Sequence, residues 1–254
     1  MTRLRWTLAT IALALLSGIP SSALGQELTM VWEFKVKPGS GPAFEEAVKA
    51  HMEYRESIGD PWEWLFFQQV VGKNVGMYMA RSPDHTWADF DEYMGSEIAQ
   101  LAGTHFDATV QPLVDEVWNL IDQDEGELSR LPEDIEPYTL FNVSVFHLKP
   151  DQMMAFSEAV GKIKQVVVDH DFPFYWGAQN QVAGTEGPTM ALVGWAESWA
   201  DMAEDPAMEA ALVEAYGEDG AQELFQQFYG SFNHFENFIG MKRPDLSTGG
   251  GAGS

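Results

Sequence analysis

The chain repeats itself, and this constrains its fold more than any other feature of the sequence. Shifted by 112 residues, two stretches align without a gap over about fifty positions. Lys37-Pro38 falls on Lys149-Pro150, Ala43-Phe44 on Ala155-Phe156, and Glu46-Ala47-Val48 on Glu158-Ala159-Val160. Pro61 meets Pro173, Trp64 meets Trp176, Gln69-Val70 meets Gln181-Val182, and Gly72 meets Gly184. Trp87-Ala88-Asp89 meets Trp199-Ala200-Asp201. The second copy then gains about six residues, after which residues 117–121 (VWNLI) answer residues 235–239 (FENFI). A fold for one copy must therefore serve for both.

Each copy shows the same order of hydrophobic periods. Residues 28–36 alternate, with Met30, Trp32, Phe34 and Val36 against Thr29, Glu33 and Lys35, as a half-buried strand does; 138–148 is the counterpart. A Lys-Pro step leads into a helix. Phe44, Ala47, Val48, His51, Arg55 and Ile58 share one of its faces, and Phe156, Ala159, Val160, Ile163, Val167 and His170 do so in the second copy. Strands are expected at 62–70 and 174–182, then at 76–80 and 189–195. Helical regions open near Trp87 and Trp199, and final strands span 114–121 and 232–239. The order is βαββαβ, the ferredoxin-like unit, so the fold class is α+β. Two helices cover one face of each sheet, and the other face is buried by packing sheet to sheet against the second copy.

The ends read differently from the repeats. Residues 1–25 carry Arg3 and Arg5, an apolar run at 11–16 (IALALL), and small residues before Gln26, the pattern of a cleaved export signal. The apolar run falls short of the roughly 20 residues a membrane span needs. The resulting expectation is a periplasmic or secreted protein with repeat 1 at 26–121, an exposed acidic linker at 122–137, repeat 2 at 138–243 and a disordered Gly-rich tail at 244–254. Without the signal the chain holds 12 Lys and Arg against 39 Asp and Glu, a formal charge of −27. That excludes nucleic acid and anionic membrane as partners, since both require a basic surface. There is no cysteine, which removes thiol catalysis, disulfides and thiolate metal sites.

The strand–Lys-Pro–helix openings (Val36-Lys37-Pro38 with Phe44; Leu148-Lys149-Pro150 with Phe156), together with the repeated Trp-Ala-Asp, resemble the dimeric α/β-barrel superfamily in a tandem-fused form. The resemblance covers nearly all of residues 26–254. It implies a fold and no single activity, because the superfamily includes cofactor-free monooxygenases, haem-containing dismutases and peroxidases, isomerases, decarboxylases and stress proteins. The fused copies already form a pseudo-dimer, so a monomer or a homo-oligomer is expected.

The repeat also serves as an internal control for sites. Where the second copy has Ile163, Val166 and Val167, the first has His51, Tyr54 and Arg55. Polar groups replacing plain packing on a helix face suggest a small-molecule pocket in repeat 1, with His51 as base or ligand contact and Arg55 as an anion or enolate clamp. The alternative is a satisfied core histidine with an arginine reaching a surface acid. Tyr54, His105, Tyr78 and Trp32 are further candidate lining residues. His85 reads as part of a helix start. His147 and His234 neighbour each other if first and last strands pair, but their spacing matches no metal motif, so no metal is expected. No cofactor is expected either, and no phosphate loop, nucleophile elbow or dinucleotide fingerprint occurs.

Three readings follow, in this order. The first is an exported small-molecule-binding or stress-related protein. The second is a cofactor-free monooxygenase or isomerase for a small aromatic or enolisable compound; it requires a cavity holding both His51 and Arg55. The third is a haem protein, which requires His170 or His51 to face an apolar slot.

Overall fold

The structure, a computed structural model, describes residues 27–203 and 205–248; the expected export signal and the last six residues lie outside this range. The first copy contributes β1 (Leu28–Val36), α1 (Gly41–Ser57), β2 (Leu65–Val71), β3 (Tyr78–His85), α2 (Trp87–Met94), α3 (Glu97–Thr109) and β4 (Val114–Asp124). The second contributes β5 (Leu140–Leu148), α4 (Met153–Asp169), β6 (Tyr175–Ala183), β7 (Thr189–Ala196), a 3-10 turn (Trp199–Met202), α5 (Ala207–Gly230) and β8 (Phe232–Lys242). All eight strands form one antiparallel closed barrel, in the order β1-β3-β2-β8-β5-β7-β6-β4. Each copy supplies four adjacent strands, and the seams are β2 with β8 and β6 with β4.

Strand alternation separates two kinds of interior. Met30, Phe34, Phe66 and Tyr78 point outward and pack with Phe44, Val48 and Met52 of α1. Phe146, Phe156 and Val160 do the same in the second copy. The opposite faces turn into the barrel, where polar groups gather. Burial and the Asp122 carboxylate hold Glu33 above its usual pKa. Asp122 pairs with Arg81 at 3.3 Å, yet its burial outweighs the guanidinium and pushes it up to about 6.

The repeated glycines sit at the seams. Gly72 (φ +126°) and Gly184 (φ +87°) both lie in left-handed backbone. A Cβ on Gly184 would stand 2.8 Å from Leu120, and one on Gly72 would stand 2.8 Å from Cβ of Phe238. Both seams also change register beside these glycines, which is where the pairing closes the barrel. The repeated Trp-Ala-Asp has a local cause too. Asp89 and Asp201 close capping boxes with Thr86 and Ser198, satisfying backbone donors at the start of a helical turn.

Two expectations about the chain's connections need correction. Residues 122–124 belong to β4, and Asp122 is buried in the barrel rather than exposed in a linker. The expected tail from residue 244 is ordered through 248: Pro244–Leu246 form a 3-10 turn, and Leu246 is fully buried in the first copy's core. These two segments are the same device. After β4, Arg130 exchanges backbone hydrogen bonds with Trp176, Ser129 Oγ accepts from the Ala178 N–H, and Leu128 packs on the second copy's core. After β8, the Thr248 N–H donates to the Trp64 carbonyl, and Ser247 Oγ accepts from the Phe66 N–H. Each copy thus straps across the other. A repeated Leu-Ser pair, 128–129 and 246–247, carried the signal at the same 118-residue shift as the last strands.

Candidate functional site

The helix face of α1 builds the polar group that the internal comparison singled out. His51 and Arg55 are one turn apart, so their side chains meet. Arg55 Nε donates to His51 Nε2 at 2.9 Å, which makes that nitrogen an acceptor and places the imidazole proton on Nδ1. Nδ1 lies 3.0 Å from Nδ1 of His105, which α3 brings over α1. Tyr54 stacks on the His105 ring at 4.2 Å, and Phe106 meets His51 edge-on. Burial, then the charge of Arg55, then His105 lower His51 to a pKa of about 3, so it is neutral at physiological pH.

Arg55 is neutralised close by. Its Nη1 pairs with Asp60 Oδ2 and donates to the Tyr93 hydroxyl at 2.9 Å, and that hydroxyl donates to Asp60 Oδ2 at 2.9 Å. The other Asp60 oxygen accepts from the Trp62 backbone N–H. The guanidinium also lies 4.9 Å over the Trp64 ring. Burial pushes the Tyr93 phenol up to about 12, so it keeps its proton. The second copy places Val167 and Phe172 where Arg55 and Asp60 stand, and their side chains join a hydrophobic cluster. Its Trp176 Nε1 donates to the Leu128 carbonyl, whereas the matching Trp64 Nε1 is buried without a hydrogen-bond partner among the described residues.

Tyr93 also lines a cleft of about 550 Å³, which His51, Arg55 and Asp60 do not line. Its floor is aromatic: Trp62 stacks with both Tyr93 and His85 at 3.9 Å. Glu63, Asp84, Asp89 and Glu92 also line it, and among the described residues no Lys or Arg does. His85 departs from expectation here. It ends β3 rather than starting a helix, because Thr86 provides the cap and Asp84 turns the chain at φ +62°. Its Nε2 lies 2.8 Å from Ser82 Oγ, and burial lowers its pKa. A second depression, about 600 Å³, runs along one side of α5 near the backbone break at Gly217; among the described residues it is lined by α5 alone.

The structure therefore brings His51, Arg55, Tyr54 and His105 together and takes Tyr78 and Trp32 elsewhere. The Tyr78 hydroxyl donates to Glu45, which Arg243 also binds, in a separate cluster where that guanidinium holds the Glu45 carboxyl below its usual range. Trp32 is partly buried in the first copy's core. The residues that sequence reasoning missed are Asp60, Tyr93 and Trp62. Asp60 offered one signal, since it stands where the second copy has Phe172. Haem does not fit the histidines proposed for it. Both ring nitrogens of His51 are engaged, and His170 is exposed at the C-cap of α4, its ring against Phe172.

No family model matches the chain, and no curated protein matches it. Solved structures do. An anthrone oxidase-like protein superposes with a TM-score of 0.52 at 11% identity, covering 88% of this chain and 94% of its own. A protein from Lactobacillus acidophilus described as a candidate monooxygenase gives 0.51 at 7%, covering 85% and 94%. A chlorite dismutase variant from Candidatus Nitrospira defluvii gives 0.52 at 9%, covering 87% and 92%. The chain has the dimeric α/β-barrel fold, fused in tandem. Identities this low establish the fold and leave the chemistry to the residues themselves.

Proposed function

We propose that this protein binds a small molecule in the cleft of its first copy, and that the molecule has a flat or apolar body and no net negative charge. One observation carries the proposal. The first copy maintains a buried network of His51, Arg55, Asp60 and Tyr93 beside the aromatic wall of the cleft, where the second copy has Ile163, Val167 and Phe172 in place of the first three. A buried ion pair is a poor way to gain stability, since apolar groups of similar size serve as well or better. Its use here is to hold Tyr93 and Trp62 in place. Aromatic walls beneath carboxylates attract cations and flat heteroaromatic compounds and repel anions.

The monooxygenase or isomerase reading requires His51 and Arg55 inside the cavity. Both lie behind Tyr93, with their hydrogen bonds directed to each other, to His105 and to Asp60. Binding is therefore the reading this arrangement supports best. No helix of the described residues is long and apolar enough to cross a membrane. Export is part of the proposal and rests on residues 1–25.

The test begins with the protein purified from its own compartment. Native mass analysis should show a polypeptide starting at Gln26 and a retained small-molecule mass. Titration with N-methylquinolinium, followed by tryptophan fluorescence, should saturate, and a quinoline sulfonate should not bind. Equal affinity for the anion, or no loss of cation binding in Trp62→Ala, would refute the cleft as the site.

A further inference from the structure

A second site lies on the barrel-facing side of the other copy, away from the cleft. His147 of β5 and His234 of β8 are direct cross-strand partners, and Glu236 stands two residues along β8 on the same face. The imidazoles stack at 5.3 Å. One Glu236 oxygen is 3.5 Å from Nε2 of His234 and 3.9 Å from Nε2 of His147, and all three residues can place a ligand atom within 4.8 Å of the others.

We propose that His147, His234 and Glu236 bind a divalent transition-metal ion, with zinc the best match. Zinc takes imidazole nitrogen at about 2.0–2.1 Å and carboxylate oxygen at about 2.0–2.2 Å, so neighbouring ligands in a tetrahedron stand roughly 3.3–3.5 Å apart. The His234–Glu236 separation of 3.5 Å matches that edge, and the His147–Glu236 separation of 3.9 Å needs a side-chain rotation to reach it. Two imidazoles and one carboxylate form a borderline donor set that suits zinc better than magnesium or calcium, which favour oxygen. Three protein ligands leave a fourth position for water or a small anion. The side chains are 45%, 62% and 47% exposed for His147, His234 and Glu236, so an ion reaches them without any opening of the fold.

The repeat argues that the histidines are not there for the fold. At the corresponding places the first copy has Lys35 and Glu116, which are also direct cross-strand partners and form an ion pair, and Trp118 stands where Glu236 does. An ordinary ion pair therefore satisfies this position of the barrel. The second copy has two histidines and a carboxylate instead, within reach of one another. Residues 147 and 234 are far apart in sequence, so no spacing motif announces the set.

The experiment uses untagged protein, residues 26–254, stripped with EDTA and titrated with zinc chloride by calorimetry and by competition with a chromophoric chelator. One zinc per chain is expected. His147→Ala and His234→Ala should each weaken binding at least tenfold, and Glu236→Gln should do so as well. His170→Ala and Lys35→Ala should leave binding unchanged. Cobalt substitution should give the visible absorption of a tetrahedral site in the parent protein and lose it in both histidine variants. These ligands are exposed, so the variants should melt with the metal-free parent, and a circular dichroism melt checks this. No stoichiometric zinc binding, or binding that survives in His147→Ala and His234→Ala, would overturn the assignment.

Discussion

Replacing Asp60 by Asn removes one charge and almost no volume. The Asn side-chain oxygen can still accept from the Trp62 N–H, so the change removes the ion pair with Arg55 together with the acceptor of the Tyr93 hydroxyl. The Asp60 side chain is 1% exposed and that of Arg55 is 12% exposed. The guanidinium would be left buried without its counter-charge, a situation that costs about 3–5 kcal/mol. In a chain of this size each kcal/mol lowers Tm by roughly 2–4 °C, so a drop on the order of 10 °C is expected. Urea unfolding at pH 7, followed by far-ultraviolet circular dichroism, measures the cost directly. The comparison that tests the reasoning is His51→Ile, Arg55→Met, Asp60→Leu and Tyr93→Phe combined. That variant carries the apolar logic of the second copy and leaves no charge behind. It should lose less stability than Asp60→Asn alone, while losing affinity in the cleft. The account of a closed network fails if Asp60→Asn stays within about 1 kcal/mol of the parent, because Arg55 would then be reaching water.

Other expectations follow from the same geometry. His51 titrates near 6.5 when unfolded and near 3 when folded, so between these values the unfolded chain takes up the proton and the native one does not. Its contribution to stability is complete above pH 6.5 and declines on acidification by up to about 1.4 kcal/mol per pH unit. Asp122 acts in the opposite sense: its folded pKa, about 6, lies above its unfolded value of 3.8, so its contribution is complete below 3.8 and is lost as pH rises through 6. Denaturation across pH 4–7 should therefore show a flatter acid-side decline in His51→Ile and a steeper one in Asp122→Asn. Gly184→Ala should cost on the order of 2–4 kcal/mol by urea midpoint, through its left-handed backbone and the approach of Leu120. Gly187→Ala, which has open space around it, should change stability by under about 0.5 kcal/mol. Leu246→Ala should cost about 2–5 kcal/mol, because a fully buried strap residue leaves a cavity in the first copy's core.

The repeat and its periods determined the architecture. Alternation at β1 and β5, and the helix face running through Phe44, Val48 and His51, reflect backbone geometry that local sequence must satisfy. Those elements are therefore legible in the amino-acid sequence alone. The polar exception at His51 and Arg55 is legible for the same reason, since the second copy displays what plain packing looks like. Three things were decided only by tertiary structure. Asp60 and Tyr93 reach Arg55 from outside its helix, and no local period records a partner drawn from a turn and from α2. His85 ends β3 instead of starting a helix because Thr86 and Asp89 form the cap one residue later. Segments 125–130 and 243–248 act as straps rather than linker and tail because each finds backbone partners and a hydrophobic hole on the opposite copy. Local sequence sets what each segment can do alone. Which groups meet across the barrel, as His147 and His234 do, depends on closing eight strands into one ring, and that closure is a property of the whole chain.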